Sequence, residues 1–178
     1  SGHILCARDF SGIEARLVGY LAQDPTYIRI TGIDAHTFLV SHIVGEPADL
    51  SWSDADLTDY LAGLKRRFKP QRQAAKKIQH AANYGATAYK ARLEEPGLFP
   101  SVKDAQAKMD LYHSLFPSIR RWHTATCDQI EAQGYIQAPS GFRLHYVDVY
   151  THVNKDGRWL KEFGPAAKEA FAAVPQHM

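Results

Sequence analysis

The sequence predicts an α+β chain that is predominantly helical, on three observations. A short apolar run, Ile4-Leu5-Cys6-Ala7, holds no turn residue and reads as a buried strand. From Ile13 to Gln133, runs with helical spacing are punctuated by N-cap residues, glycines and prolines. After Gly134 that period gives way to short strand-like stretches between turn residues.

The strand reading covers His3 to Arg8 and delivers Asp9 at its end. A helix follows from Ser11 or Gly12, with Ile13, Leu17, Val18 and Leu21 on one side, ending near Asp24-Pro25. Pro25 to Thr31 and Ala35 to Val44 read as helices, the second N-capped by Asp34 and closed by Gly45. Ser53, with Asp56 three residues on, forms a capping-box-like start for a helix through Leu57, Leu61 and Leu64. Pro70 is expected to end that helix, and Gln71 to Asn83 to form the next, stopping at Tyr84-Gly85. Two long helices, Ser101 to Phe116 and Ser118 to Gln133, are separated by Pro117. Tyr135 to Gln137 and Arg143 to Val149 read as strands around a turn at Pro139-Ser140-Gly141. Asn154-Lys155-Asp156-Gly157 is a second turn, and Gly164-Pro165 opens a last helix, Ala166 to Ala173. No internal repeat is visible.

Composition alone narrows function little. The 178 residues are 45% hydrophobic with a formal charge of +2, enough for one core or for parts of two subdomains sharing one, and too weakly basic overall to imply nucleic acid. Charge distribution says more. Glu46 to Asp59 holds five acidic residues and no basic one, and Lys65 to Lys77 holds seven basic residues and no acidic one. Cys6 and Cys127 are far apart without metal-ligand spacing, which argues against a disulfide scaffold or zinc site. No stretch is suited to a signal peptide or a membrane span.

The chemistry concentrates on the helix before Gly85. Arg72, Lys76, His80 and Tyr84 are each four residues apart and form one stripe on a helix. Two cations followed by two flat rings suit a nucleoside triphosphate, whose phosphates need positive charge and whose sugar and base offer a face to stack on. Ala74, Ala75, Ile78 and Ala82 supply the opposite, packing face. An ordinary surface helix can carry the same stripe. Asp9, at a strand end with Glu14 five residues on, is placed either to offer acid groups to magnesium or to cap the next helix. His36 and His42 are six residues apart and face differently on their helix.

At these residues the sequence resembles family A DNA polymerases, the bacterial polymerase I type. Asp9-Phe10-Ser11-Gly12-Ile13-Glu14-Ala15-Arg16 is similar to the family's first polymerase motif, and Gly32-Ile33-Asp34-Ala35-His36-Thr37 to the segment after it. Arg72-Gln73-Ala74-Ala75-Lys76 through Tyr84-Gly85 resembles the second motif. Phe116-Pro117-Ser118-Ile119, Gly134-Tyr135-Ile136 and Gly141-Phe142-Arg143 are similar to the connection back into the palm, and Pro175-Gln176 to a motif that touches the duplex minor groove.

The resemblance implies the fingers and part of the palm of a right-hand polymerase, truncated at both ends: a palm segment over 1–24, fingers over 25–133 with a nucleotide-binding helix at 71–85, and partial palm over 134–178. It implies template-directed DNA synthesis by two-metal phosphoryl transfer. Asp9 would ligate both magnesium ions with the backbone carbonyl of Phe10. Glu14 would lie beneath the incoming sugar and exclude a ribose 2′-hydroxyl with help from Tyr84. His36, Arg72 and Lys76 would hold the triphosphate, and Lys76 would also protonate departing pyrophosphate. His80 would pack on the nucleotide, and Tyr84, Gly85, Arg143 and Gln176 would touch DNA. Lys65, Arg66 and Lys69 are expected for the most part not to bind the phosphates, because Pro70 separates them from the stripe helix.

The implied partners are a DNA primer-template and deoxynucleoside triphosphates, with no membrane, a monomeric parent enzyme, and a cytoplasmic location in a bacterium or phage-infected host. Phe10, Gly12 and His80 depart from the usual tyrosine, glutamine and aromatic residue of the motifs. A second catalytic aspartate is expected beyond Met178, so the chain by itself is expected to be inactive. A single-subunit RNA polymerase, a noncatalytic nucleic-acid-binding module and a small hydrolase using Asp9, Glu14 and His36 are the alternatives.

Overall fold

The computed structural model describes residues 12–138 and 140–176. The strand expected at 3–8, with Cys6, Asp9 and Phe10, and Pro139 of the first expected turn lie outside them. The described elements run α1 (Ile13–Leu21), α2 (Pro25–Ile33), α3 (Ala35–Ile43), α4 (Asp54–Arg67), α5 (Lys69–Asn83), α6 (Ala88–Glu94), α7 (Val102–Leu115), α8 (Pro117–Gln133), β1 (Tyr135–Gln137), β2 (Arg143–His145), β3 (Tyr150–Lys155), β4 (Arg158–Phe163) and α9 (Pro165–Gln176). The α+β, mainly helical class is therefore observed.

Side-chain caps fix most helix starts. Asp24, Asp34, Ser53, Thr87 and Ser101 each accept from the backbone N–H three residues on, satisfying a donor that the first turn leaves free. Pro25, Pro117 and Pro165 each stand at the first position of a helix, where the missing N–H costs nothing. Pro70 behaves in the same way and not as a terminator. The break falls at Phe68 (φ −121°, ψ 46°), and α5 begins at Lys69 with Pro70 inside its first turn. Thr87 and α6 had no counterpart in the sequence reading.

The strands form two separate antiparallel pairs among the described residues. β1 pairs with β2, Ile136 opposite Leu144, and β3 pairs with β4, Val153 opposite Leu160. The strand expected to reach Val149 stops at His145. Asp148 adopts φ +54°, a left-handed conformation that extended backbone cannot absorb. The Asn154–Gly157 turn links β3 and β4 as expected, with Asn154 Oδ1 accepting from Gly157 N at 3.0 Å.

The core gathers the inner faces of α2 to α5, α7 and α8. Tyr27, Phe38, Leu57, Leu61, Leu64, Ile78, Tyr112 and Phe116 are all essentially buried. Each large apolar side chain removed from water contributes roughly 1.5–3 kcal/mol before chain entropy is set against it. Tyr27 stacks edge-on against Phe116 at 4.7 Å and Tyr112 at 6.2 Å, so α2, α7 and the start of α8 meet at one aromatic node.

The end of α5 is tied to α8 and α9. The buried His123 on α8 donates from Nε2 to Asn83 O at 2.8 Å, occupying a carbonyl that the helix end leaves free, and its ring stacks on Phe171 of α9 at 4.1 Å. Gly85 follows with φ +64°, and a Cβ there would lie 3.0 Å from two Phe171 ring atoms. Gly85→Ala should therefore destabilise the fold by about 1–3 kcal/mol, through left-handed strain and a displaced Phe171. Urea unfolding of the two proteins checks this, and an unchanged midpoint would show that α9 does not seat there.

Candidate nucleotide-binding cleft

The stripe on α5 forms one wall of a cleft of about 770 Å³, within the usual size range for small-molecule sites. Gly12, Ile13, Glu14 and Ala15 face it from the start of α1, Thr31 and Ile33 from the end of α2, and Asp34, Ala35 and His36 from the start of α3. Glu14, His36, Arg72, Lys76, His80 and Tyr84, six residues expected at a nucleotide site, all line this one cleft. They come from α1, α3, α5 and, for Tyr84, the C-cap of α5, and the alanine-rich inner face of α5 lets it sit close to α3.

Asp34 organises the cationic end. Its Oδ1 accepts from Thr37 N at 3.0 Å, capping α3, and both carboxylate oxygens accept from Arg72 Nη2 at 3.2 Å. Arg72 Nε donates to Thr37 Oγ1 at 3.0 Å, so the guanidinium is oriented before any ligand arrives. Burial opposes charge on Asp34, but the Thr37 N–H and Arg72 outweigh it and hold the carboxyl below its ordinary value. Lys65 reaches the same carboxylate at 3.7 Å and lines the cleft. The separation expected at Pro70 is therefore absent: α5 starts before Pro70, and the end of α4 stays beside the stripe. Lys76 is exposed and has no ion pair or hydrogen bond to a described residue, whereas Lys77 pairs with Glu95 at 2.5 Å. Lys76 is thus the cation on this wall free to take an anion.

The ring end is closed by a cross-cleft contact. Tyr84 Oη donates to Glu14 Oε2 at 2.7 Å, and the His80 ring stands edge-on to Tyr84 at 4.8 Å. Burial, and then the bond to the Glu14 carboxylate, push the Tyr84 hydroxyl well above its ordinary value, so it stays a donor at any physiological pH. His36 Nδ1 is bonded to Gln79 Oε1 at 2.7 Å.

The remaining expected residues lie apart from the cleft. Arg143 is exposed on the β1–β2 hairpin with its guanidinium 4.7 Å from the Tyr135 ring centre, and it does not line the cleft. Gln176 ends α9, and its side chain lies outside the described residues, as do Asp9 and Phe10. Among the described residues no three His, Cys, Asp or Glu side chains gather as a cation site. No described helix is long and apolar enough to cross a membrane.

Sequence reasoning missed the polar layer behind the stripe. Gln79 and Asn83 sit on the buried face of α5, only 2% and 4% exposed. Gln79 Nε2 and Asn83 Nδ2 donate to Tyr27 Oη at 2.9 and 3.0 Å, and Tyr112 Oη donates to Asn83 Oδ1 at 2.6 Å. Their spacing of four was visible, but nothing in a sequence marks which amides will find buried phenols.

The profile of DNA polymerase family A matches residues 1–164, and the chain belongs to that family. It is 30% identical over 154 residues to the thermostable DNA polymerase I of Thermus aquaticus, covering 85% of this chain and 16% of that protein. It is 29% identical over 163 residues to DNA polymerase I of Deinococcus radiodurans, covering 90% and 15%. In fold it is similar to the POL domain of Pol1 from M. smegmatis, solved with DNA primer-template and dNTP. That likeness has a TM-score of 0.67 at 22% identity and covers 95% of this chain and 26% of that one. The chain spans about a sixth of the length of these curated relatives.

Proposed function

We propose that the cleft binds the incoming deoxynucleoside triphosphate of a DNA polymerase that extends a primer on a DNA template, acting as a monomer in the cytoplasm. The observation that carries this is the polarity of the wall: Arg72, Lys76 and Lys65 gather at one end, and His80 and Tyr84, pinned by Glu14, stand at the other. Successive stripe residues are about 6 Å apart along α5, so the phosphates meet the cations at one end while sugar and base meet the rings and the Glu14 carboxylate bonded to Tyr84 at the other. In this reading 25–133 form the fingers, with 1–24 and 134–178 contributing to the palm. Tyr84, Gly85, Arg143 and Gln176 face DNA.

The chain's own residues would act by binding and orientation. Arg72, already held by Asp34 and Thr37, presents a fixed edge to phosphate, and Lys76 adds a mobile ammonium that can also give a proton to departing pyrophosphate. Two magnesium ions, with Asp9 and the Phe10 carbonyl among their ligands, would supply the electrostatic clamp on the transferring phosphoryl group.

Glu14 is assigned the sugar end, where its carboxylate occupies the space that a 2′-hydroxyl would need. Binding of dATP and ATP to this chain and to Glu14→Ala tests the assignment. The wild-type chain should prefer dATP, and the variant should narrow that preference by roughly 3–10-fold, the size of one unfavourable polar contact relieved. Equal affinity of the wild-type chain for both nucleotides would reverse the reading toward an RNA polymerase.

A further inference from the structure

The bond between His36 and Gln79 constrains more than position. Gln79 spends its Nε2 donor on Tyr27 Oη at 2.9 Å, and the atom it turns toward His36 is Oε1, at 2.7 Å from Nδ1. An amide oxygen only accepts, so Nδ1 carries the hydrogen. Neutral imidazole has a single N–H. Nε2 therefore keeps a bare lone pair; it has no hydrogen bond to a described residue, and the half-buried ring lines the cleft. Phosphate oxygens are also lone-pair bearers, and in this state His36 has nothing to offer them.

We propose that Gln79 is a positioning residue that fixes His36 as its Nδ1–H tautomer, so that His36 grips an anion in the cleft only after gaining a proton on Nε2. The anion half of this rests on the nucleotide reading above. The proton comes from solvent as the anion enters and returns when it leaves.

The surrounding charges set the direction. Arg72 and Lys76 on α5 and Lys65 on α4 oppose a further positive charge beside them, Asp34 at the start of α3 favours it, Glu14 on α1 faces the cleft from across, and His80 and Tyr84 lie further along α5. With the cleft empty, burial and the neighbouring Arg72 and Lys76 outweigh the Gln79 bond and Asp34, and His36 is held below its ordinary titration range. A triphosphate supplies several negative charges at once and reverses that balance.

The test uses the 178-residue chain with 15N-labelled histidine, and dATP as the anion at pH 7.5–9, where its phosphates no longer change charge. Free chain should show His36 neutral with the hydrogen on Nδ1. Bound chain should show an imidazolium, and affinity should weaken by up to tenfold per pH unit as pH rises. Gln79→Leu should release the tautomer to Nε2–H and flatten that slope. Gln79→Glu keeps the acceptor, adds a charge, and should leave His36 protonated before ligand arrives; it decides the matter if the leucine variant does not fold. A hydrogen on Nε2 in the free chain, a neutral His36 with dATP bound, or an unchanged slope in Gln79→Leu would overturn the proposal while leaving the nucleotide reading intact. No dATP binding by a chain with the stated tautomer would instead overturn the nucleotide reading and the anion grip with it.

Discussion

Replacing Lys76 with alanine should weaken binding of a deoxynucleoside triphosphate to this chain by about 10–100-fold, the worth of one charge-assisted hydrogen bond to phosphate. Other cations at that end are already committed. Arg72 is held by Asp34 and Thr37, and Lys65 shares Asp34, so each enters the site partly neutralised. Lys76 alone on this wall has no ion pair or hydrogen bond among the described residues. Lys69 stands at the first position of α5, off the stripe and outside the cleft lining, and Lys69→Ala should change affinity by less than about threefold, as expected for a screened surface charge. Titration with a fluorescent dATP analogue gives both numbers, and equal losses would mean the helix meets phosphate by general charge instead of by the stripe.

The second large effect concerns acid. Burial, with Arg120 adding to it, holds His113 down to about 3, and burial, outweighing the bond to Asn83 O, holds His123 down to about 4, against an ordinary value of 6.5. In the unfolded chain both take up a proton as pH falls through about 6.5; in the folded chain neither does until near 4 or below. Their contribution to stability is complete above pH 6.5 and is lost as pH falls toward 4, at about 1.4 kcal/mol per pH unit for each histidine. From pH 6.5 to 5 the pair should remove roughly 4 kcal/mol, a large share of the stability of a domain this size. Urea midpoints at pH 7.5, 6 and 5 check the slope. His123→Gln should flatten it by about half, and a midpoint constant between pH 6.5 and 5 would show that these rings are not buried in solution.

Much of the site was legible because helices present residues by simple arithmetic. Spacing of four placed Arg72, Lys76, His80 and Tyr84 on one wall, and Asp34 and Ser53 announced the helices they cap. What stayed hidden depends on partners distant in sequence. Nothing local marks Gln79 and Asn83 as buried amides, because the hydroxyls they bond, on Tyr27 and Tyr112, lie 52 and 29 residues away respectively. That Lys65 lies beside the stripe was not legible, because Pro70 suggests a break there while a proline in the first turn forfeits no helical bond. The β3–β4 hairpin gave no alternation to read, since Trp159 is 70% exposed and Leu160 42% exposed, and neither face is buried.

Photo-cross-linking of an azido-dATP to this chain, followed by peptide mapping, bears most directly on whether the cleft holds a nucleotide. The label should fall on the α5 wall between Arg72 and Tyr84, be competed by unlabelled dATP, and drop sharply in Lys76→Ala. Label spread over the exposed β3–β4 hairpin and the α4 surface, indifferent to competitor and to Lys76, would contradict a nucleotide site on this helix.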